Sequence, residues 1–211
     1  FSASCWGDNF NGQLGQGDEE WRGDDPFEMS TNLSTIDLGT NVYVDLIEGG
    51  QYHTCMLSTY GQIKCWGLNN YGQLGYGDQV TRGDDAFEMS DYLDFVDVGS
   101  TCSVIIDLSL GDYHTWVLCS NGDVKCFGQN NYGQLGQGDK LDLGDAPFEM
   151  GDYLPTVDLG SGLTVSAVYS GSSHDCALFD DGSIKCWGRN NDGQLGLGDS
   201  DTKGDNPNEM G

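Results

Sequence analysis

Histidine is the residue type in this chain that is best suited to acid–base chemistry, and it occurs three times. The copies stand in matching contexts, "GGQYHTCML", "LGDYHTWVL" and "SGSSHDCAL", at His53, His114 and His174. A catalytic histidine would be a single residue beside a nucleophile or a carboxylate. Three copies at one repeated position instead predict a structural imidazole, hydrogen-bonded to loop backbone between repeats. The sequence has no zinc-ligand spacing, "GxSxG" motif or phosphate loop, so we do not expect an enzyme.

Carboxylates form a second repeated group, carried by glycine-rich loops. The second and third copies supply Asp78, Asp84, Asp85, Glu88, Asp139, Asp145 and Glu149. Oxygen ligands suit calcium, which takes about six to eight of them, although the spacing is not that of an EF-hand loop. The alternative is that these acids cap turns by accepting backbone N–H groups. A carboxylate-based hydrolase or lyase would need one paired site, whereas these acids recur in every copy. Calcium is therefore the one candidate cofactor.

Four of the eight cysteines suggest disulfide-bonded hairpins. Cys55 and Cys65 flank "MLSTYGQIK", and Cys176 and Cys186 flank "ALFDDGSIK". Each segment resembles two short strands around a glycine turn, which places the two sulfurs opposite each other and within disulfide distance. The alternative is a pair of facing, buried thiols. Disulfides would indicate an oxidising compartment, so we expect an extracellular or cell-surface protein.

The other cysteines break this pattern. Cys102 and Cys119 lie on neighbouring predicted strands of the middle repeat and could bridge each other, whereas Cys5 and Cys126 have no evident partner. Asn32 begins the sequence Asn-Leu-Ser, an acceptor site for N-glycosylation that secretion would allow to be used.

Charge limits the class of partner. The chain has 34 Asp and Glu residues against 8 Lys and Arg residues, a formal net charge of −26. Such a surface repels nucleic-acid phosphates and anionic lipid headgroups. No apolar run approaches the roughly 20 residues of a membrane helix, so we expect no membrane insertion. Suitable partners are basic proteins, other copies of the chain, cations and neutral glycans.

A repeat of 60 or 61 residues organises these groups. The stretch "CWGLNNYGQLGYGD" at 65–78 recurs in similar form at 5–18, 126–139 and 186–199. Within one period we predict four short strands, at 34–38, 42–48, 53–58 and 61–66, and no helical periodicity. Trp66 and Trp187 would supply apolar surface at the end of the fourth strand. A four-stranded antiparallel unit repeated radially is a propeller blade.

The motifs "GQLGxGD", "GxxHTxxL" and "DGxxKCWG", in this order, resemble the repeat of the regulator of chromosome condensation family. The resemblance implies an all-β propeller with four-stranded antiparallel blades, seven in the family. The chain would hold three complete blades plus one partial blade, as part of a seven-bladed or longer array. The predicted divisions are 1–33, 34–94, 95–155 and 156–211. The long acidic insert resembles versions of the repeat in secreted or surface proteins.

These observations predict a non-catalytic extracellular or cell-surface scaffold for protein or glycan interaction. The alternative is a structural subunit of an extracellular filament or surface coat, assembled with calcium at the acidic loops. Within the family, the nuclear founder is an exchange factor for a small GTPase and a bacterial propeller of similar build inhibits β-lactamases. No loop of this chain matches a partner-binding motif that would carry over either role.

Overall fold

The computed structural model describes residues 3–210 and contains nine β-strands, arranged as three antiparallel sheets of three strands each. The first sheet contains β1 (Val44–Gly49), β2 (His53–Ser58) and β3 (Ile63–Gly67). The second contains β4 (Ile105–Leu110), β5 (His114–Cys119) and β6 (Val124–Gly128). The third contains β7 (Val165–Ser170), β8 (His174–Phe179) and β9 (Ile184–Gly188). Helical turns are limited, in the described residues, to short 3₁₀ segments at Ser30–Asn32, Ser90–Tyr92 and Gly151–Tyr153. The predicted all-β class is confirmed.

The second and third strands of every sheet form the predicted hairpin. Cys55 pairs with Cys65 across β2 and β3, and Cys176 pairs with Cys186 across β8 and β9. The hairpin turn of the first sheet contains Gly61 with φ 75°, a left-handed conformation that glycine adopts without steric cost. The repeated sequence therefore sets the register of each hairpin through one turn glycine.

The predicted first strand, 34–38, is not a strand of its own sheet. Its Ile36 N–H donates instead to the carbonyl of Ala3, at 2.8 Å. The equivalent Val96 N–H donates to the carbonyl of Ile63 on β3, at 2.9 Å, so that segment lies beside the preceding sheet. The sequence pattern could not reveal this, because alternating apolar residues fit any sheet edge.

The structure thus contains three-stranded sheets where we predicted four strands. The extended segments that follow the second and third acidic loops each donate a backbone hydrogen bond to the last strand of the sheet before them, from Val96 to Ile63 and from Val157 to Val124. The blade boundaries at 33/34, 94/95 and 155/156 stay predictions, and residues 1, 2 and 211 of the predicted divisions lie outside the described residues.

The apolar core continues from one sheet to the next. One cluster joins Leu57 and Ile63 of the first sheet to Ile105 and Leu108 of the second. A second cluster joins the second and third sheets and includes the contact of Trp116 with Trp187, whose ring centroids are 5.2 Å apart. Neighbouring sheets therefore share their apolar core, as expected for a repeat architecture.

Buried lysines hold the acidic loops against the sheets. The Lys64 ammonium on β3 donates to the carbonyl of Leu38 at 2.9 Å and to that of Ser90 at 2.8 Å. Lys125 on β6 does the same with the carbonyls of Val98 and Leu154. Burial lowers the pKa of both ammonium groups, because the low-dielectric surroundings disfavour their charge. The loops and the sheets consequently form one packed unit.

Candidate functional site

Two of the three histidines link neighbouring sheets. The Nε2 of His53 lies 2.9 Å from the hydroxyl of Thr115 in the next sheet, and that hydroxyl donates to the carbonyl of Gln73 at 2.8 Å. Because the hydroxyl proton is used on Gln73, His53 must donate from Nε2. Burial lowers the pKa of His53 to about 3, so the ring is neutral at ordinary pH.

The His114 link differs in its acceptor. Its Nε2 lies 3.0 Å from both carboxylate oxygens of Asp175, and both side chains are fully buried. Asp175 stands where the other copies have threonine, as "SHDC" against "YHTC" shows. Our prediction that these rings bond loop backbone was wrong, because the acceptors are side chains of the next sheet. His174 is half-buried at the last sheet.

The glycine-rich stretch is the joint between consecutive repeats. The Trp66 indole N–H donates to the carbonyl of Gln13 at 3.0 Å, and that of Trp187 donates to Gln134 in the same way. A Cβ added at Gly72 would lie 2.2 Å from the backbone N of Asp145, so only glycine allows the approach. The joint therefore consists of one loop seated on the Gly-Asp turn and tryptophan of the following repeat.

The two ends of the array expose the halves of this joint. Trp6 is 61% exposed, whereas its counterparts Trp66 and Trp187 are fully buried. At the other end, a Cβ added at Gly193 or Gly196 would meet no atom within 4 Å. The Trp6 side chain is thus left exposed, and no atom of the described residues packs close to Gly193 or Gly196.

The repeated carboxylates cap turns and bind neighbouring side chains. Asp78 forms an ion pair with Arg82 at 2.8 Å, which lowers the pKa of the Asp78 carboxyl. Glu88 accepts from the backbone N–H groups of Gly83 and Asp85, at 2.9 and 3.1 Å. Burial raises the pKa of Glu88, and its neighbour Asp84 adds to the effect. The hydrogen bonds of Glu88 cap a turn, which is the alternative to calcium binding that the sequence left open.

The third copy behaves like the second. Glu149 accepts from three backbone N–H groups, Asp139 from that of Leu141, and Asp145 from the side chain of Gln79. Within residues 3–210, no group of three or more His, Cys, Asp or Glu side chains is placed to hold a metal ion. Calcium binding therefore stays a prediction that this geometry does not support.

Three disulfides are present: Cys55–Cys65, Cys102–Cys119 and Cys176–Cys186. The first and the third were predicted from the sequence, which gave Cys102–Cys119 as a possible bridge. Cys5 and Cys126 form no disulfide within the described part of the chain. Burial raises the pKa of the Cys126 thiol, which faces Trp116 across its hairpin.

Asn32 lies exposed in the first 3₁₀ turn, where its side chain donates to the carbonyl of Phe27 at 2.6 Å. Its glycosylation stays a prediction. The same position is Tyr92 in the second copy and Tyr153 in the third, so this surface differs from repeat to repeat.

Exposed aromatic side chains are the surface feature that the sequence analysis missed. Phe27, Phe87 and Phe148 are 88%, 78% and 78% exposed, and their φ angles of 77°, 73° and 70° lie in the left-handed region. That conformation costs a residue with a Cβ about 1–2 kcal/mol. The fourth copy has Asn208 there, a type that tolerates it. The signal was present in the repeated "FEM", whose phenylalanine we did not examine.

Two of these rings pair with the tyrosines of the 3₁₀ turns. Phe87 meets Tyr92 and Phe148 meets Tyr153, each edge-to-face at 5.8 Å between ring centroids. Such a pair is worth about 0.5–1.5 kcal/mol, which offsets much of the backbone cost. The acidic loops therefore present rigid aromatic pairs to solvent.

Residues 44–73, 105–134 and 165–194 match the regulator of chromosome condensation (RCC1) repeat, one match in each sheet and its joint. The chain contains three RCC1 repeats. This RCC1-repeat chain is 30% identical over 197 residues to the ultraviolet-B receptor UVR8 of Arabidopsis thaliana, covering 92% of the chain and 39% of the receptor. It is 29% identical over 194 residues to the probable E3 ubiquitin-protein ligase HERC6 of Homo sapiens, covering 92% of the chain and 17% of that protein.

Solved structures show the same fold. Prp20p of Saccharomyces cerevisiae, described with its binding to Gsp1p and histones, superimposes with a TM-score of 0.68 at 20% identity, over 98% of this chain and 45% of that chain. Human WBSCR16 superimposes with a TM-score of 0.54 at 16% identity, over 93% and 59% of the two chains. The three sheets of the RCC1 repeats therefore have the arrangement of an RCC1-like β-propeller. The chain spans less than half the length of UVR8, HERC6 and Prp20p.

Proposed function

We propose that these RCC1 repeats form an extracellular or cell-surface scaffold that binds a protein partner through its acidic loop face, without catalysis. The observation that carries the proposal is the row of exposed phenylalanines held at left-handed φ on a disulfide-bonded framework. Exposed aromatic side chains on rigid supports are typical of binding surfaces. Among residues 3–210, no helix is long and apolar enough to cross a membrane.

The compartment is argued from the disulfides. Disulfides persist in oxidising compartments and are rare in the reducing cytosol. Three of them within three consecutive repeats support secretion. Thiol titration of the natural protein under denaturing, non-reducing conditions tests this, and reactive thiols at all six bonded positions would count against an extracellular site.

Partner capture tests the scaffold. The immobilised protein is exposed to the extracellular fraction of its source, beside a variant with Phe27, Phe87 and Phe148 all changed to Asn, the residue of the fourth copy. We expect a partner that the wild type retains and the variant loses. Equal retention by both proteins would locate binding away from the loop face.

A structural role in a larger array is the second candidate, and the repeated form of the joint favours it. The Trp66 indole binds the glycine-rich loop of the repeat before it, and Trp187 does the same, so further copies can be added in the same way. Sedimentation over a range of concentrations tests whether copies associate end to end. Association that Trp6→Ser abolishes would support this role, and a monomer at every concentration would exclude it for this chain.

A further inference from the structure

A groove runs between the second and third acidic loops, and we call it the aromatic groove. It has a volume of about 410 Å³, and its distinctive lining consists of Tyr76, Asp94, Phe95, Asp97 and Phe148. We propose that the aromatic groove binds a Lys or Arg side chain of a basic protein partner. This inference rests on the proposed scaffold function and names the class of partner.

The rings of the groove already contact cations of the chain itself. The Lys64 Nζ lies 4.9 Å from the centroid of the Phe95 ring, and the Arg82 guanidinium carbon lies 4.3 Å from that of Tyr76. Cations are attracted to the negative face of an aromatic ring. Phe148 is 78% exposed and Phe95 38% exposed, so both leave ring surface for an incoming cation.

Open carboxylates lie beside these rings. The Asp94 carboxylate accepts no hydrogen bond from residues 3–210, although the backbone carbonyl of Asp94 binds the Tyr76 hydroxyl. Asp97 uses Oδ1 to accept from the Gly99 N–H at 2.9 Å, which leaves Oδ2 open within the same range. Both aspartates are exposed. A cation in the groove would contact rings and carboxylates at once.

The next groove along the array shows that the fold does not need this lining. It has about 490 Å³ and lies at the equivalent place, between the third and fourth loops. Gln137, Thr156 and Asn208 stand there for Tyr76, Phe95 and Phe148, and Pro155 stands for Asp94. Because the same framework forms without the aromatic residues, the fold does not require Phe95 and Phe148 at these positions, which leaves them free to serve binding.

Charge selects the occupant. With a net charge of −26, the protein attracts a cationic segment and repels an anionic one. A neutral glycan could stack on the rings but would gain less from the two open carboxylates. A basic polypeptide uses both features of the groove and is the occupant we assign.

The test uses a fluorescein-labelled peptide of alternating Lys and Ser, with anisotropy measured at physiological salt. The double variant Phe95→Thr with Phe148→Asn copies the neighbouring groove and leaves the net charge unchanged. We expect it to bind about tenfold more weakly, from the loss of two cation–π contacts. Phe10→Asn, at a 69% exposed site outside the groove where the other copies have Asn, is the matched control and should bind as the wild type does.

A second pair of variants distinguishes binding at the groove from attraction by the overall negative charge of the protein. Asp94→Asn should weaken peptide binding more than Asp85→Asn, which removes the same charge elsewhere on the loops. Equal affinities within each pair would mean that only the overall charge attracts the peptide, and would overturn the proposal. Urea unfolding of each variant establishes that it is folded.

The glycan outcome is also distinguished. Suppose that the wild type binds cellohexaose, that the Phe95→Thr, Phe148→Asn variant does not, and that both bind the peptide equally. This result would assign the groove to a sugar and overturn the inference. Suppose instead that a protein partner is captured through Phe27, Phe87 and Phe148 without any dependence on Phe95. In that case the scaffold function would be supported and the assignment of this groove would fail.

Discussion

Replacing Gly72 by alanine tests whether the glycine-rich stretch is a joint that needs close backbone approach. The added Cβ would lie 2.2 Å from the backbone N of Asp145 and 2.2 Å from the carbonyl carbon of Gly144, so the two loops must separate. Gly193 occupies the equivalent position in the last repeat, also with φ 77°, and has no atom within 4 Å of an added Cβ. It is therefore a control that is matched in conformation.

Both substitutions share the conformational cost. Alanine at positive φ costs about 1–2 kcal/mol, reduced by about 0.4–1 kcal/mol because alanine restricts the unfolded chain. Gly193→Ala should therefore lower the free energy of unfolding by about 1 kcal/mol. Gly72→Ala adds the cost of forcing apart packed backbone, about 1–3 kcal/mol. The expected difference between the two variants is about 2 kcal/mol.

Thermal and urea unfolding of the two variants, side by side, measure this difference. For a chain of this length, a difference of about 2 kcal/mol corresponds to about 4–8 °C in Tm. Equal losses of stability would refute the reasoning, because they would show that positive φ alone explains the glycine and that the contact with the next repeat contributes nothing.

Three further predictions address the buried groups. His53 is neutral in the fold, with its pKa lowered to about 3 from 6.5, so its contribution to stability is complete above pH 6.5 and is lost as the pH falls towards 3. Between pH 7 and 5 the wild type should lose about 2 kcal/mol more stability than His53→Gln, and parallel pH profiles in urea unfolding would contradict this. Trp66→Phe removes a buried indole hydrogen bond and should cost about 1–3 kcal/mol, whereas the exposed Trp6→Phe should change unfolding by less than about 0.5 kcal/mol. The double substitution of Cys102 and Cys119 by Ser should cost about 3 kcal/mol by releasing a closed loop, and an unchanged urea midpoint would show that this disulfide is energetically silent.

The hairpins and two of the disulfides could be predicted because they are local. A glycine turn and a fixed number of residues on each side place Cys55 opposite Cys65, whatever the rest of the chain does. The repeat period and the motif order likewise predicted a propeller of similar units, and the RCC1-like fold confirms that prediction. Each of these hairpin disulfides joins residues ten apart in the chain, and the repeat is visible from comparing its copies, so sequence reasoning reached both.

The candidate site was harder to predict because its parts come from different repeats. The acceptor of His114 is Asp175, 61 residues away, and the sequence did not show which backbone or side chain the ring would meet. The acidic residues were visible, but their partners were not, so both capping and calcium binding stayed open. The aromatic groove joins Phe95 of one loop to Phe148 of the next, which only packing brings together.

The amino-acid sequence was enough to predict the repeat, the strands of each hairpin, two of the disulfides and the acidic character of the loops. Packing between repeats settled where the segments after the acidic loops lie and which side chains His53 and His114 bind. The physical reason is that hairpin register depends on local geometry, whereas edge pairing and burial depend on what the neighbouring repeat supplies.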